Sequence, residues 1–433
     1  MRTDSALFGS RFVVLGLALA AVPVGGCSGD GPTSRPGTWV ASEQQRAAAP
    51  TPSEADVNAL RRGNLGFAAG VYDALRESQN NLVFSPISVS LALAMLHGGA
   101  RGETEAQMAQ ALHFELPPER LHPAFNWLEQ RLSSREADDD ALRLRVVNAS
   151  FGQEGYTFVP EYLDLLAENY GAGVSLLDFA GAPEASRQAI NDWVGYETYD
   201  RIPALLPPGS VTPDTVLALV NAIYFKADWM FPFSPERTSI ETFHAPDGEV
   251  QAAMMHGRPR VSWYTAGDDY QALGLAYRSD GLVEGRGLDM VFVLPEEGGF
   301  EGFEARLDGA LLAEIVDGLE ESDVLIDLPR FSFGAGTDLR GVLAGMGMSD
   351  AFDGQADFSG INGRRDLYVS ELRHDAFISV NETGTEAAAA TVIIAEPVSL
   401  PIRMTFDRPF LFLVRDVETG ALLFLGRVMD PTA

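Results

Sequence analysis

Glu382-Thr-Gly-Thr-Glu-Ala-Ala-Ala-Ala-Thr-Val-Ile-Ile-Ala-Glu-Pro-Val-Ser399 is the stretch on which the reading of this chain turns. Laid out as a strand, its period of two places Thr385, Ala387, Ala389, Thr391, Ile393 and Ala395 on one face. Glu386, Ala388, Ala390, Val392, Ile394 and Glu396 fall on the other. The first face is uncharged and mostly small, so it suits a closely packed slot. Pro397 stops the pattern, because proline cannot donate to a strand ladder. The alanines also admit a helix or a linker, since alanine is the best helix former. The segment therefore reads as one able to be loop or strand, hinged at Gly384.

Outward from this stretch, 433 residues of which 46% are hydrophobic supply a large core. No internal repeat and no interior linker divides them. A single domain is predicted over residues 54–433, behind a leader. Arg2 and Arg11 precede the apolar run Phe12 to Val24, which is too short to span a bilayer but suits a signal-peptide core. It ends in Val24-Gly25-Gly26-Cys27, similar to a bacterial lipobox, so residues 1–26 are expected to be removed and Cys27, the sole cysteine, to carry lipid. Export with an anchor at the outer membrane or cell surface is expected, or secretion if the lipobox is not used. Residues 27–53, rich in Gly, Pro, Ser and Ala, read as a flexible tether. With one cysteine, no internal disulfide forms.

The formal net charge is -30, and removing residues 1–26 with Arg2, Arg11 and Asp4 takes away +1 and leaves -31. Such acidity disfavours nucleic acid and anionic lipid surfaces as partners. Lys226 is the single lysine. No Gly-x-Ser-x-Gly elbow is present, no phosphate loop follows a strand, and the six histidines lack metal spacing. No cofactor and no metal are expected.

Helical spacing runs from Glu54 to Glu77, and Ser85-Pro86 opens a second helix with a serine cap and proline in the first turn. Helices follow at Glu103 to Leu112, Glu161 to Tyr170, Arg187 to Glu197 and Asp338 to Met346. Val216 to Phe225, apolar but for Asn221, reads as a strand buried on both faces. Further strands are read at Leu82 to Phe84, Leu142 to Phe151, Val250 to Met255, Ala272 to Tyr277, Leu288 to Leu294, Val324 to Phe333, Leu367 to Asn381, Phe410 to Val414 and Leu422 to Met429. Helices dominate the first half and strands the second, which is the pattern of an α+β fold.

Six segments, in order, resemble the serpin family. They are Asn81-Leu-Val-Phe-Ser-Pro-Ile-Ser88, Asn191-Asp-Trp193, Leu219-Val-Asn-Ala-Ile-Tyr-Phe-Lys-Ala-Asp-Trp229, Leu328-Pro-Arg-Phe331 with Leu343 to Phe352, Ala356-Asp-Phe-Ser-Gly-Ile361, and Met404 to Val414 with Phe406-Asp-Arg-Pro-Phe410. The resemblance implies helices around three sheets, a large central sheet, and an exposed reactive-centre loop at about residues 382–403. It implies inhibition of a serine protease by a chain that is cut once and then inserts its own loop. The hinge would be Glu382, Gly384, Thr385, Glu386 and Ala387, Ala388, Ala389 and Ala390. With no gap seen between Gly384 and Phe410, the reactive bond falls at Val398-Ser399. A small β-branched Val398 implies an elastase-like target. Ser85, Ser88, Asn221 and His374 match the "shutter" that gates the central sheet, and Trp229 matches the "breach" at its top. Glu103, Glu105, Glu115 and Glu119 surround the few arginines where animal relatives bind heparin, so no such activator is expected. A monomer is expected. Two other readings stand beside this one: a non-inhibitory member acting as a binding or chaperone-like module, and a hydrolase using Ser85 and His374.

Overall fold

Leu217–Asp228 is buried along both faces, and its neighbours explain why. Ala218, Val220 and Ala222 pack beneath Ile190, Trp193 and Val194 of the helix Pro183–Glu197. Leu219, Ile223, Phe225 and Ala227 face the main core on the other side. A strand covered twice needs apolar residues on both faces, and residues 217–225 supply them at every position but Asn221. The structure is a computed structural model and describes residues 35–135, 142–278, 287–385 and 401–433. Residues 1–26, Cys27 and positions 386–399, with Glu386, Ala387, Ala388, Ala389, Ala390, Val398 and Ser399, lie outside the described residues.

Three sheets carry the fold. The central sheet has seven strands, running Thr38–Val40, Val174–Leu177, Leu142–Gln153, Leu217–Asp228, Glu371–Val380 and Phe331–Asp338, with Gly384–Thr385 also paired to Leu217–Asp228. A second seven-stranded sheet holds the C-terminal hairpin Phe410–Asp416 and Leu422–Val428 against Leu82–Phe84 and Leu288–Pro295. A four-stranded sheet pairs Ile402–Thr405, Val324–Pro329, Gly248–Gly257 and Thr238–Ala245 in that order. Ten α-helices pack around them among the described residues, so the α+β expectation holds. Ser53 caps the helix Glu54–Leu75 through a full capping box with Asp56, and Ser85 caps Pro86–His97. Every residue of Pro86–His97 is buried, since it runs through the middle of the core.

Several elements differ from the sequence reading, among them the strands Val174–Leu177 and Thr238–Ala245 and the helix Gly309–Asp317, which went unread, and three are instructive. Val324 to Phe333 is not one strand but two, Val324–Pro329 in the four-stranded sheet and Phe331–Asp338 in the central one. The break at Arg330 falls between two apolar stretches, and alternation alone does not show a change of sheet. The helix Pro118–Ser133 went unread, although Leu121, Ala124, Phe125, Leu128 and Leu132 line one buried face. The expected tether over 27–53 also docks well before its end. Thr38–Val40 pairs antiparallel with Val174–Leu177. Arg46 donates to Asn126 Oδ1 at 2.8 Å and to Glu129 at 2.7 Å, and the Ala47 N–H to the Glu168 carbonyl at 2.8 Å. Composition marked this stretch as a linker, and its long-range partners were invisible to that criterion.

Candidate functional site

The functional geometry lies where Leu217–Asp228 and Glu371–Val380 run side by side. In the lower half they form a parallel ladder from Ala218–Glu371 to Ile223–Ala376. Above that rung the two strands part, and Gly384–Thr385 pairs instead with Asp228 and Ala227, antiparallel.

Thr385 is fully buried, and its Oγ1 lies 2.9 Å from the Tyr277 hydroxyl. Burial pushes that phenol up from its ordinary value. Tyr277 stacks flat on Trp229, centroids 4.6 Å apart at 6°. The Trp229 indole N–H donates to the Asn381 carbonyl at 3.0 Å, and its backbone N–H to the Thr383 carbonyl at 2.8 Å. Glu382, 4% exposed, accepts from Arg330 and from the Thr238 hydroxyl. Burial raises the Glu382 carboxyl, yet these bonds outweigh it and hold it below its ordinary value. Gly384 has φ +151, and a Cβ there would strike the Ala227 carbonyl oxygen and come 2.7 Å from Asp228 Cα. Glycine is therefore required for the chain to lie this close. The sequence placed the hinge outside the sheet. Gly384 and Thr385 are already inside it.

The four polar residues Ser85, Ser88, Asn221 and His374 do form one cluster, all of them buried. His374 Nε2 accepts the Ser85 backbone N–H at 2.9 Å, and Nδ1 faces Asn221 Oδ1 at 2.5 Å. This fixes the neutral tautomer with its proton on Nδ1. Asn221 Nδ2 donates to Ser88 Oγ at 2.6 Å and also to Asn148 Oδ1 on the neighbouring strand. Burial lowers the His374 pKa to about 3. The hydrolase reading fails here: Ser85 Oγ caps the helix by accepting the Ser88 N–H, and His374 meets the Ser85 backbone instead of its hydroxyl. Asn148 was missed. An asparagine in the middle of an alternating strand was the available signal, but its role depends on the cross-strand register with Asn221.

Sequence reasoning also missed the downstream anchor. Ile402–Thr405 pairs parallel with Val324–Pro329, and buried Asp327 gathers its side chains. Asp327 accepts from Arg403 at 2.8 Å, Thr405 at 2.8 Å and His256 Nδ1 at 2.6 Å. Burial raises this carboxyl, and the three donors together bring it below its usual range. His256 Nε2 lies 3.0 Å from Ser239 Oγ and 2.8 Å from Glu241. Because Glu241 shares that nitrogen, the histidine bridges carboxylates on two strands and is not held open for a nucleophile. Positions 386–400 thus connect two fixed points, one in the central sheet and one in the four-stranded sheet.

A family model described as serpin (serine protease inhibitor) matches residues 62–431. The leukocyte elastase inhibitor of Sus scrofa is 38% identical over 86% of this chain and 99% of its own length. Among solved structures, the thermophilic serpin tengpin in its native state aligns with a TM-score of 0.78 at 25% identity, covering 89% of this chain and 97% of tengpin. Thyroxine-binding globulin complexed with thyroxine aligns at 0.76 and 30%, covering 86% of this chain and all of that one. The chain belongs to the serpin family and has the serpin fold.

Proposed function

We propose that this serpin is an inhibitor of elastase-like serine proteases that acts once per molecule. The observation that carries the proposal is the position of Gly384–Thr385, hydrogen-bonded inside a central sheet whose two middle strands have parted above Ile223 and Ala376. The protease serine attacks the Val398 carbonyl, the Ser399 amine leaves, and an ester joins the protease to Val398. The freed segment then continues the strand that Thr385 has begun. From Thr385 to Val398 is fourteen residues, a path of roughly 45 Å at about 3.3 Å each. The alanines 387–390 make rapid insertion feasible, since small side chains pass between packed strands. The name of the porcine relative and the small Val398 both support an elastase-like target. The non-inhibitory alternative has support from the likeness to thyroxine-binding globulin, but the small, uncharged hinge disfavours it.

We further propose that the chain works as a monomer, exported and tethered through lipid on Cys27. Mass spectrometry of the membrane fraction tests the anchor: an unmodified Cys27 or a retained leader would exclude it. The inhibitory reading is tested by incubating the purified domain with pancreatic elastase and with trypsin. A 1:1 adduct with elastase that survives detergent, with Ser399 as the new N-terminus, is expected. Clean cleavage with both enzymes and no adduct would leave the non-inhibitory reading.

A further inference from the structure

The parted strands raise the question of what holds them at the fork. Tyr224 and Phe377 are the next residues above the last rung, Ile223–Ala376, one on each strand. Both lie on the face covered by the helix Pro183–Glu197, because Ala218, Val220 and Ala222 pack against that helix and side chains alternate along a strand. The turn that leaves the helix crosses this fork. Tyr199 packs its ring on Tyr224, centroids 5.2 Å apart. Arg143, from the strand on the far side of Tyr224, donates to the Tyr199 hydroxyl at 2.8 Å and lies 5.5 Å from its ring. Two residues on, Arg201 sits 5.7 Å over the Phe377 ring.

The turn is held in this position at a cost. Tyr199 has φ +52 and Asp200 φ +60, two successive left-handed residues without a glycine. Each is disfavoured, because in this region the Cβ crowds the following carbonyl oxygen. Thr198 and its neighbours fix the conformation: Thr198 Oγ1 donates to the Val194 carbonyl at 2.8 Å, and the Asp200 N–H to the Gly195 carbonyl at 2.7 Å. A left-handed tyrosine that is 47% exposed gains little from burial, so what its strained backbone secures is the contact with Tyr224.

We propose that the turn Tyr199–Arg201 is a staple across the fork, and that its release sets the rate at which the loop advances beyond Thr385. This rests on the insertion reading above. A new strand between Leu217–Asp228 and Glu371–Val380 moves Tyr224 and Phe377 apart by about 4.8 Å. Three consecutive residues cannot then keep both ring contacts. Tyr199 and Arg201 are thus positioning residues for insertion and touch no protease.

The test measures insertion without a protease. An acetylated peptide of residues 385–398 is offered to the intact protein, and its uptake is followed by native gel and by the rise in melting temperature. Tyr199→Asn keeps a residue tolerant of the left-handed turn but removes the ring, and Arg201→Gln removes the cation. Each is expected to speed uptake about fivefold, the rate equivalent of one lost ring contact. Tyr199→Phe keeps the ring and should take up peptide at the parental rate. Parental rates in both Tyr199→Asn and Arg201→Gln, with the parent accepting peptide normally, would overturn the staple and leave the inhibitory reading intact. A parent that never takes up the peptide would overturn both.

Discussion

The breach and the shutter are two ends of one pair of strands, and they are built on opposite plans. At the shutter, Leu217–Asp228 and Glu371–Val380 are laddered together and locked by His374, Asn221 and the serines. At the breach the same strands have separated, and Gly384–Thr385 occupies the near edge beneath Trp229 and Tyr277. The lower contact is made of polar groups that exchange partners at small cost if all are satisfied again. The upper contact is made of aromatic stacking and a clamped carboxylate. On the insertion mechanism proposed above, the contrast puts the start of insertion and the resistance to it in different places. The hinge would supply the start, and the turn at Tyr199–Arg201 would have to release before the ladder below could unzip.

The largest expected effect breaks the breach. Thr385→Arg brings an unpaired charge beside Tyr277, where burial is costly. The hinge should be expelled, the loop should remain cleavable, and covalent trapping of elastase should fall by about a hundredfold or more, in line with several kcal/mol of burial cost. An unchanged ratio of adduct to cleaved product would break the comparison.

Acid separates the two ends next. Burial lowers His374 to about 3 and His97 and His122 to about 4, from 6.5. As pH falls below about 6.5 the unfolded chain takes up these protons first, so stability present at neutral pH is lost from pH 6.5 down to about 4 for His97 and His122 and about 3 for His374. The loss is about 2 kcal/mol per histidine by pH 5. Asp375, raised by burial to about 6, offsets part of this, gaining stability as pH falls from 6 toward 3.8. Glu382 is depressed, so its clamp should survive until pH falls below the ordinary carboxylate range. Melting at pH 5 should therefore drop while native Trp229 fluorescence stays unchanged. A shift in that fluorescence at pH 6 would place the acid-sensitive contact at the breach.

A smaller effect comes from the shutter alone. His374→Ala leaves Asn221 Oδ1 and the Ser85 N–H without their partner, at about 1–3 kcal/mol for each unsatisfied group. A lower melting temperature and faster loop-sheet polymerisation are expected, seen by calorimetry and size exclusion. Glu386→Arg should do least. It follows Thr385 on the opposite strand face, so adduct yield with elastase should stay within about twofold of the parent. A loss as large as that of Thr385→Arg would mean that the two residues do not alternate.

Much of this arrangement was legible in the chain. Ser85 announced its helix, and the apolar run around Asn221 announced a strand buried on both faces. The four shutter residues were identified by resemblance, and the structure brings them within hydrogen-bond distance. What stayed hidden depends on register between distant segments. Asn148 joins Asn221 only because their strands pair at that rung. Thr385 is buried only because the sheet has opened to meet it. Arg46 and Trp39 dock a segment whose composition marks it as a linker. The turn at Tyr199 shows no glycine to advertise its left-handed backbone.

The central claim is that a cleaved loop completes the strand begun at Gly384–Thr385, and one measurement addresses it without any target protease. The domain is cut within residues 386–400 by a non-specific protease, and its melting temperature is compared with that of the intact chain. Insertion adds a full ladder of hydrogen bonds and buries the small-residue face, so the cleaved protein should melt tens of degrees higher, several times the ~2–4 °C that about 1 kcal/mol gives a domain of this size class. A cleaved protein that melts at or below the intact one would contradict the account.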